Sequence, residues 1–286
     1  MPTSWTTGSW FLDLLKWSVQ IWIQMVDAGV GLLTQSPESV SPGLWNVMRQ
    51  LNIGLQGIGY GLLVLFFLVS LFRQTTNIKD FTLQGAMGYL LRFLGGKIAI
   101  DYCLVIMSSI ISIVLDVVGI INTSSTDMMI DTVPQNIVDM ANGMSIFDIG
   151  GQLPLWLLSL IGCLITCICG ILFLICVYGR FFRVYIHIAL APLGFAAFGG
   201  EVTANSGKHF LMNFFHVCLE AAVIMLAVVI CKGIIGGGGW GIILGDDASV
   251  TIRLANYIMQ NLFAMVLLVT LTFGVNRMTK EMFGGM

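Results

Sequence analysis

The chain has 286 residues, of which 57% are hydrophobic and 10% are charged, and its mean hydropathy is +0.92. A soluble domain carries roughly 25% charged residues, so this composition excludes an ordinary soluble fold. The formal net charge is −2, whereas proteins that coat nucleic acid typically carry a net positive charge.

Three long stretches contain no Asp, Glu, Lys or Arg, namely residues 50–72, 149–179 and 254–276. About 20 apolar residues are enough to cross roughly 30 Å of hydrocarbon. The sequence therefore predicts an all-α, polytopic transmembrane protein with five to six spans.

Residues 1–50 form an external N-terminal segment that begins with an amphipathic helix over residues 9–33. Its polar stripe runs from Asp13 through Lys16 to Asp27, and its other faces carry several Trp residues. Because Trp favours the headgroup zone of a membrane, we expect an interfacial helix. The alternative is a spanning helix that packs in an oligomer.

The first two spans are predicted within residues 51–121. Gly54, Gly57 and Gly61 share one face of the first span, where small residues let helices approach closely in lipid. We therefore predict a helix-packing face there.

The second span, residues 98–121, is preceded by an amphipathic or interfacial helix over residues 81–97. This helix carries Arg92 and Lys97. An external loop, residues 122–152, follows the second span; it contains four Asp and no Lys or Arg.

Residues 153–286 form a C-terminal membrane domain with spans predicted at 153–178, 210–231 and 254–275. Between the first two of these lies the segment 184–200, which contains Pro192. Only about 15 of its residues are apolar, and proline removes a backbone donor. The segment is therefore a short span, a re-entrant element or an interfacial helix.

Positive charge accumulates on the cytoplasmic side of a membrane. With five spans, nine of the 13 Lys and Arg lie inside and four outside. With six spans, the division is eight against five. Both arrangements place the N-terminus and the loop 122–152 outside, and five spans give the stronger asymmetry.

Glu220 lies near the middle of a predicted span, where a carboxylate is costly unless it is paired, hydrated or protonated. His216 precedes it by four residues, and His209 lies seven residues earlier still. These side chains predict either a polar lining or gating contact, or an interhelical polar lock with Arg183 or His187.

Arg180 and Arg183 fall at a membrane boundary. They are either anchors whose side chains extend to the cytoplasmic surface, or contacts for a cytoplasmic partner or an anionic substrate.

No catalytic, nucleotide or metal site is predicted. Neither Gly96-Lys97 nor Gly207-Lys208 fits the phosphate-binding pattern GxxxxGK[ST], and no HExxH is present. The seven cysteines lie in or beside apolar runs, where they read as packing residues. We therefore expect no enzymatic activity, no cofactor and no metal.

One block of the sequence reads RFFRVYIHIALAPLGFAAFGGE at residues 180–201, followed by GKHFL at 207–211 and CLE at 218–220. Over residues 180–233 the chain resembles TrbL-like conjugal transfer proteins, which are polytopic inner-membrane channel subunits of type IV secretion systems. The most similar variant is the short one from Gram-positive conjugative elements.

The resemblance implies a bacterial, multi-pass protein of the cytoplasmic membrane that helps to move single-stranded DNA with its attached relaxase. It also implies secretion ATPases and other type IV secretion membrane subunits as partners, a homo-oligomer, and transient contact with single-stranded DNA. The residues expected to form channel or partner contacts are Arg180, Arg183, His187, Pro192, Glu201, Lys208, His216 and Glu220.

Channels for single-stranded DNA combine basic groups with aromatic stacking, and the predicted spans contain few basic residues. An oligomer would solve this by building a ring from Arg92, Lys97, Arg180 and Arg183 at its inner mouth. The alternatives are a small-solute or ion transporter and a non-conducting assembly scaffold.

Overall fold

A computed structural model of the chain describes residues 10–75, 83–124, 133, 135–143, 149–236 and 249–282. Within these ranges the chain forms nine α-helices and one 3-10 turn, Ala197–Gly199, and no strand. The all-α prediction is therefore confirmed. The helices are α1 Trp10–Leu33, α2 Pro37–Val40, α3 Pro42–Thr75, α4 Leu83–Asp101, α5 Cys103–Thr123, α6 Gln135–Asn142, α7 Ile149–Ala196, α8 Ala204–Gly236 and α9 Val250–Met282.

Five helical segments of the described chain are long and apolar enough to cross a membrane. They are Pro42–Arg73, Cys103–Thr123, Leu153–Gly199, Ala204–Gly233 and Val250–Val275. The chain is therefore a multi-pass membrane protein. The short helix α6 lies within the predicted loop 122–152, whereas Asp127, Asp131 and Asp148 of that loop, and most of the glycine-rich stretch after α8, lie outside the described residues.

The segment 184–200 differs from its prediction. It forms no separate element, because most of it continues α7, a single helix of 48 residues that is about 72 Å long at 1.5 Å per residue. A continuous helix crosses a bilayer once, so the described residues contain five candidate spans and not six. Pro192 does not end the helix, because Asn52 of α3 donates a hydrogen bond to the carbonyl of Ile188.

The described helices group into two compact units. Of the described residues, the first unit takes those within 10–33, 119–177 and 223–275, and the second takes those within 34–118, 178–222 and 276–282. Helices α5, α7, α8 and α9 therefore contribute residues to both units.

In the first unit, α1 packs lengthwise against α7. Residues near the start of α1 share a hydrophobic core with Leu155. Farther along, Met25 lies against Gly170 and Phe173 lies against Gly29. These contacts advance along both helices together, so the helices run in the same direction. This lengthwise packing differs from the predicted position flat on the membrane surface, and α1 is not among the five candidate spans of the described residues.

In the second unit, α4 runs antiparallel to α3. Tyr60 donates a hydrogen bond to Asp101, and the rings of Phe67 and Phe93 lie 4.9 Å apart. The predicted interfacial helix is thus packed lengthwise on a span. Only Tyr102 separates α4 from α5, and helical hydrogen bonds continue on both sides of it, from its N–H to Ile98 and from the Ile106 N–H to its carbonyl. The candidate span begins at Cys103, later than the predicted residue 98.

The glycines of α3 divide into two groups. A Cβ added at Gly54, Gly57 or Gly61 would meet no atom of the described chain within 4 Å. A Cβ at Gly59 would lie 3.0 Å from the carbonyl oxygen of Pro192. The close approach of α3 to α7 therefore depends on Gly59, and the predicted glycine face is not used by the described helices of this chain.

Candidate functional site

Helices α7 and α8 bring together three of the charged residues that the sequence singled out. Arg183 Nη2 donates to Glu220 Oε2 at 2.6 Å, with 38% of the Arg183 side chain exposed and 2% of the Glu220 side chain. This ion pair joins α7 to α8 and gives Glu220 one of the two partners expected for an interhelical polar lock. Removal of the buried Glu220 carboxylate would cost about 3–5 kcal/mol, because both arginines would be left without it.

Arg180 is the third member of this charge cluster, and it is only 2% exposed. Its Nε and Nη1 have no hydrogen-bond acceptor among the described residues. Its guanidinium carbon lies 5.2 Å from the ring centre of Phe181.

The burial of Arg180 corrects one prediction. A side chain with so little exposure does not extend to the membrane surface as an anchor. Each buried donor left unsatisfied costs about 1–3 kcal/mol, and more when it is charged. The position of Arg180 is therefore not explained by stability alone.

His187 lies one turn beyond Arg183 on α7. Its Nδ1 is 2.7 Å from the carbonyl oxygen of Arg183, and its Nε2 is 3.1 Å from the side-chain nitrogen of Asn213. Because a carbonyl oxygen only accepts, Nδ1 carries the proton and Nε2 accepts from the amide. The imidazole ring lies against Phe210 and Phe214.

The histidines of α8 do not share one environment. His216, one turn before Glu220, is buried. His209 is exposed, and so is the neighbouring Lys208. The predicted common face of His209, His216 and Glu220 is thus divided between the interior and the surface.

Glu201 organises a second polar cluster, in the turn between the third and fourth spans. Its Oε2 accepts a hydrogen bond from the Tyr89 hydroxyl at 2.6 Å, and its Oε1 lies 3.5 Å from Arg92 Nη1. Its backbone N–H donates to Ser70 Oγ at 3.0 Å. The sequence indicated Glu201 and Arg92 but not Tyr89 or Ser70, which no local motif marks.

These contacts shift two ionisation equilibria outside the spans. The Tyr89 hydroxyl, and then Arg92, lower the pKa of Glu201 below its ordinary value. The same hydrogen bond, with the nearby carboxylate, raises the pKa of Tyr89. Glu201 is therefore held as an anion that joins α3, α4 and the turn before α8.

The four residues of the predicted inner-mouth ring lie in different environments. Arg92 and Lys97 are exposed on α4, although Arg92 also faces Glu201. Arg183 is paired with Glu220, and Arg180 is buried. In this conformation Arg180 does not face an aqueous channel mouth.

The first unit contains a separate cleft of about 60 Å³. Its walls are mostly apolar, with polar groups from Asp27, Lys232, Tyr257 and Asn261. None of the predicted channel or partner contacts lines it. No group of three or more His, Cys, Asp or Glu arranged to hold a metal ion occurs in the described part of the chain.

Comparison with known protein families identifies a relationship. Residues 23–192, more than half of the chain, match the family described as "TrbL/VirB6 plasmid conjugal transfer like protein". The match overlaps the resembling block, residues 180–233, only over residues 180–192, so Glu201, Lys208 and Glu220 lie beyond it. No curated protein and no solved structure matches the chain. The chain therefore belongs to the TrbL/VirB6 family of plasmid conjugal transfer proteins and is a component of a type IV secretion, or conjugation, machine.

Proposed function

We propose that this chain is a channel subunit that helps to move a single-stranded DNA–relaxase complex across the cytoplasmic membrane of a bacterium. The observation that carries the proposal is the charge cluster of Arg180, Arg183 and Glu220 within helices that form membrane spans. Ionisable groups inside such helices are expensive, and they commonly mark substrate pathways or gates. Membership of a conjugal transfer family supports the same function.

The distribution of charge indicates how a channel would be built. Single-stranded DNA needs cations along its path, and the second unit presents Arg92 and Lys97 on the exposed surface of α4. The two cations on α4 of one chain are too few to neutralise a strand along this surface, so several copies must contribute them. We therefore propose a homo-oligomer that associates with other secretion subunits. The chain itself has no catalytic role, and separate ATPases supply the energy.

Neutralisation of the exposed cations tests the channel. In conjugating cells, the double variant Arg92→Gln/Lys97→Gln is expected to lower the frequency of DNA transfer at least tenfold while the protein accumulates normally in the membrane. The matched control is Arg277→Gln, which removes an exposed cation from the end of α9. Equal transfer by wild type and both variants would contradict a path along α4.

A non-conducting scaffold is the second candidate, and the Arg183–Glu220 pair favours it. A buried ion pair that joins α7 to α8 is what a rigid assembly subunit would need to keep its helices in register. In a scaffold, DNA transfer depends on the subunit, yet DNA in transit makes no contact with it. Contact between DNA and the subunit therefore separates the two functions.

A further inference from the structure

We propose that Glu220 exchanges between two partners on α7, Arg183 and Arg180, and that this exchange is a two-state switch within the second unit. In the structure Glu220 pairs with Arg183, while Arg180 is buried with two nitrogens that lack acceptors among the described residues. The exchanged state would give the buried carboxylate to the buried guanidinium.

The positions of the two arginines make this exchange possible. They are three residues apart on one helix, so their side chains lie on the same face about 4.5 Å apart along the axis. Glu220 contacts Arg183 from α8 at 2.6 Å, and Arg180 lies less than one helical turn from Arg183 on α7. The long arginine side chains cover such a distance by changing rotamers, without a new helix register.

The different exposures of the two arginines give each state its own cost. Arg183 is 38% exposed, so it is able to leave Glu220 for solvent or lipid headgroups. Arg180 is 2% exposed, so the charge cluster is its source of a charged acceptor. The observed state satisfies Arg183 and leaves Arg180 unsatisfied, whereas the exchanged state satisfies Arg180 and releases Arg183. In each state one of the two arginines lacks the carboxylate of Glu220, so the cluster has two alternative arrangements, as a bistable element does.

The exchange has a directional consequence. It moves an unpaired positive charge from the interior, at Arg180, to the partly exposed position of Arg183. If the chain conducts DNA as proposed above, the released cation becomes available to the strand in one state only. That consequence rests on the proposed function, but the exchange itself does not.

A double-mutant cycle on the full-length protein in detergent tests the exchange, with the apparent Tm as the readout. Arg183→Met is expected to lower Tm by only a few degrees, because Glu220 moves to Arg180. Arg180→Met is expected to leave Tm unchanged or raise it, because it removes the unsatisfied donors. The double variant takes both arginines away from Glu220, and its Tm should fall by on the order of 10 °C, more than the sum of the single changes.

A fixed Arg183–Glu220 pair makes the opposite prediction. Arg183→Met alone would then lower Tm as far as the double variant does, and the two changes in Tm would be additive. That result, or a failure of Arg183→Met to accumulate as folded protein, would overturn the exchange. Adding Glu220→Gln to the double variant should restore most of the lost Tm, because a neutral amide needs no cation.

The exposed pair Arg277–Glu281 provides the matched control. Its single and double substitutions should change Tm by no more than about 1–2 °C, because exposed pairs contribute little. Since the cycle measures stability and not transfer, a chain that proves to be a scaffold would still show the exchange. A channel with a fixed pair would lack the exchange while transferring DNA normally, so the two proposals fail separately.

Discussion

The side-chain amide of Asn52 donates a hydrogen bond to the carbonyl oxygen of Ile188, with 2.6 Å between nitrogen and oxygen. In a regular helix that carbonyl would accept from the N–H of residue 192, but residue 192 is proline and has none. Asn52 is fully buried, and its Oδ1 lies 3.5 Å from Cys103 Sγ. Helix α3 thus supplies the donor that α7 lacks, which explains why α7 continues through Pro192.

This relationship predicts that Asn52→Leu destabilises the protein by about 1–3 kcal/mol, because it leaves a buried carbonyl without a donor. Adding Pro192→Ala should recover most of the loss, since alanine at this position supplies the missing N–H from within α7. Thermal unfolding in detergent measures both effects. The control is Asn205→Leu, at an exposed position of α8, which should leave Tm unchanged. Loss of stability in the double variant equal to that of Asn52→Leu would show that Pro192 is not the reason for the bond.

Because α3 and α7 are in close contact at Gly59, we expect substitutions at two neighbouring glycines of α3 to differ in their effect on stability. Gly59→Val places a branched side chain against the backbone of Pro192 and should destabilise the protein by about 1–3 kcal/mol. Gly57→Val enters open space within the described chain and should leave the stability of the isolated chain nearly unchanged. Equal effects of the two variants on thermal unfolding would contradict the packing described for Gly59.

The hydrogen bond between Tyr89 and Glu201 should make a pH-dependent contribution to stability. Its pKa is lowered in the folded protein, chiefly by the Tyr89 hydroxyl. The stabilisation is therefore present above the ordinary carboxyl pKa and is lost as pH falls through the lowered value. Wild type should exceed Tyr89→Phe in Tm at neutral pH, and the difference should disappear at acidic pH. In a Glu201→Gln background, Tyr89→Phe should have the same effect at every pH; persistence of the pH dependence there would assign it to another group.

The buried position of Glu220 predicts a large effect of removing it. Glu220→Leu leaves Arg180 and Arg183 without their carboxylate and should cost about 3–5 kcal/mol. Glu281→Leu breaks the exposed pair with Arg277 and should leave Tm nearly unchanged. The two variants remove the same kind of carboxylate from a buried and an exposed pair, so a similar Tm for both would contradict the lock between α7 and α8.

Several features of the fold were readable from the sequence, because they depend on local composition. The charge-free stretches predict the spans, since each must cross the hydrocarbon by itself. The pairing of Glu220 follows from the cost of a lone carboxylate in a span, and Arg183 was one of the two partners named for it.

Other features were not readable, because they depend on contacts between distant residues. Pro192 alone suggests a break, and the donor that replaces its missing N–H comes from Asn52, 136 residues away along the chain. The Tyr89–Glu201 bond likewise joins two helical regions that no local pattern connects. The amphipathic stripes of α1 and α4 fit a membrane surface, and lengthwise packing against α7 and α3 uses the same apolar faces.

Photo-crosslinking to DNA in transit tests the channel proposal most directly. A photoreactive residue would replace Arg92 or Lys97 on α4 in cells that are transferring DNA, with the same replacement at Arg277 as the control. A channel subunit should yield covalent adducts to the transferred strand at the α4 positions, only while the secretion ATPases are active, and none at Arg277. Undiminished transfer without any adduct at Arg92 or Lys97 would contradict a DNA path along α4 and leave the scaffold as the function of this chain.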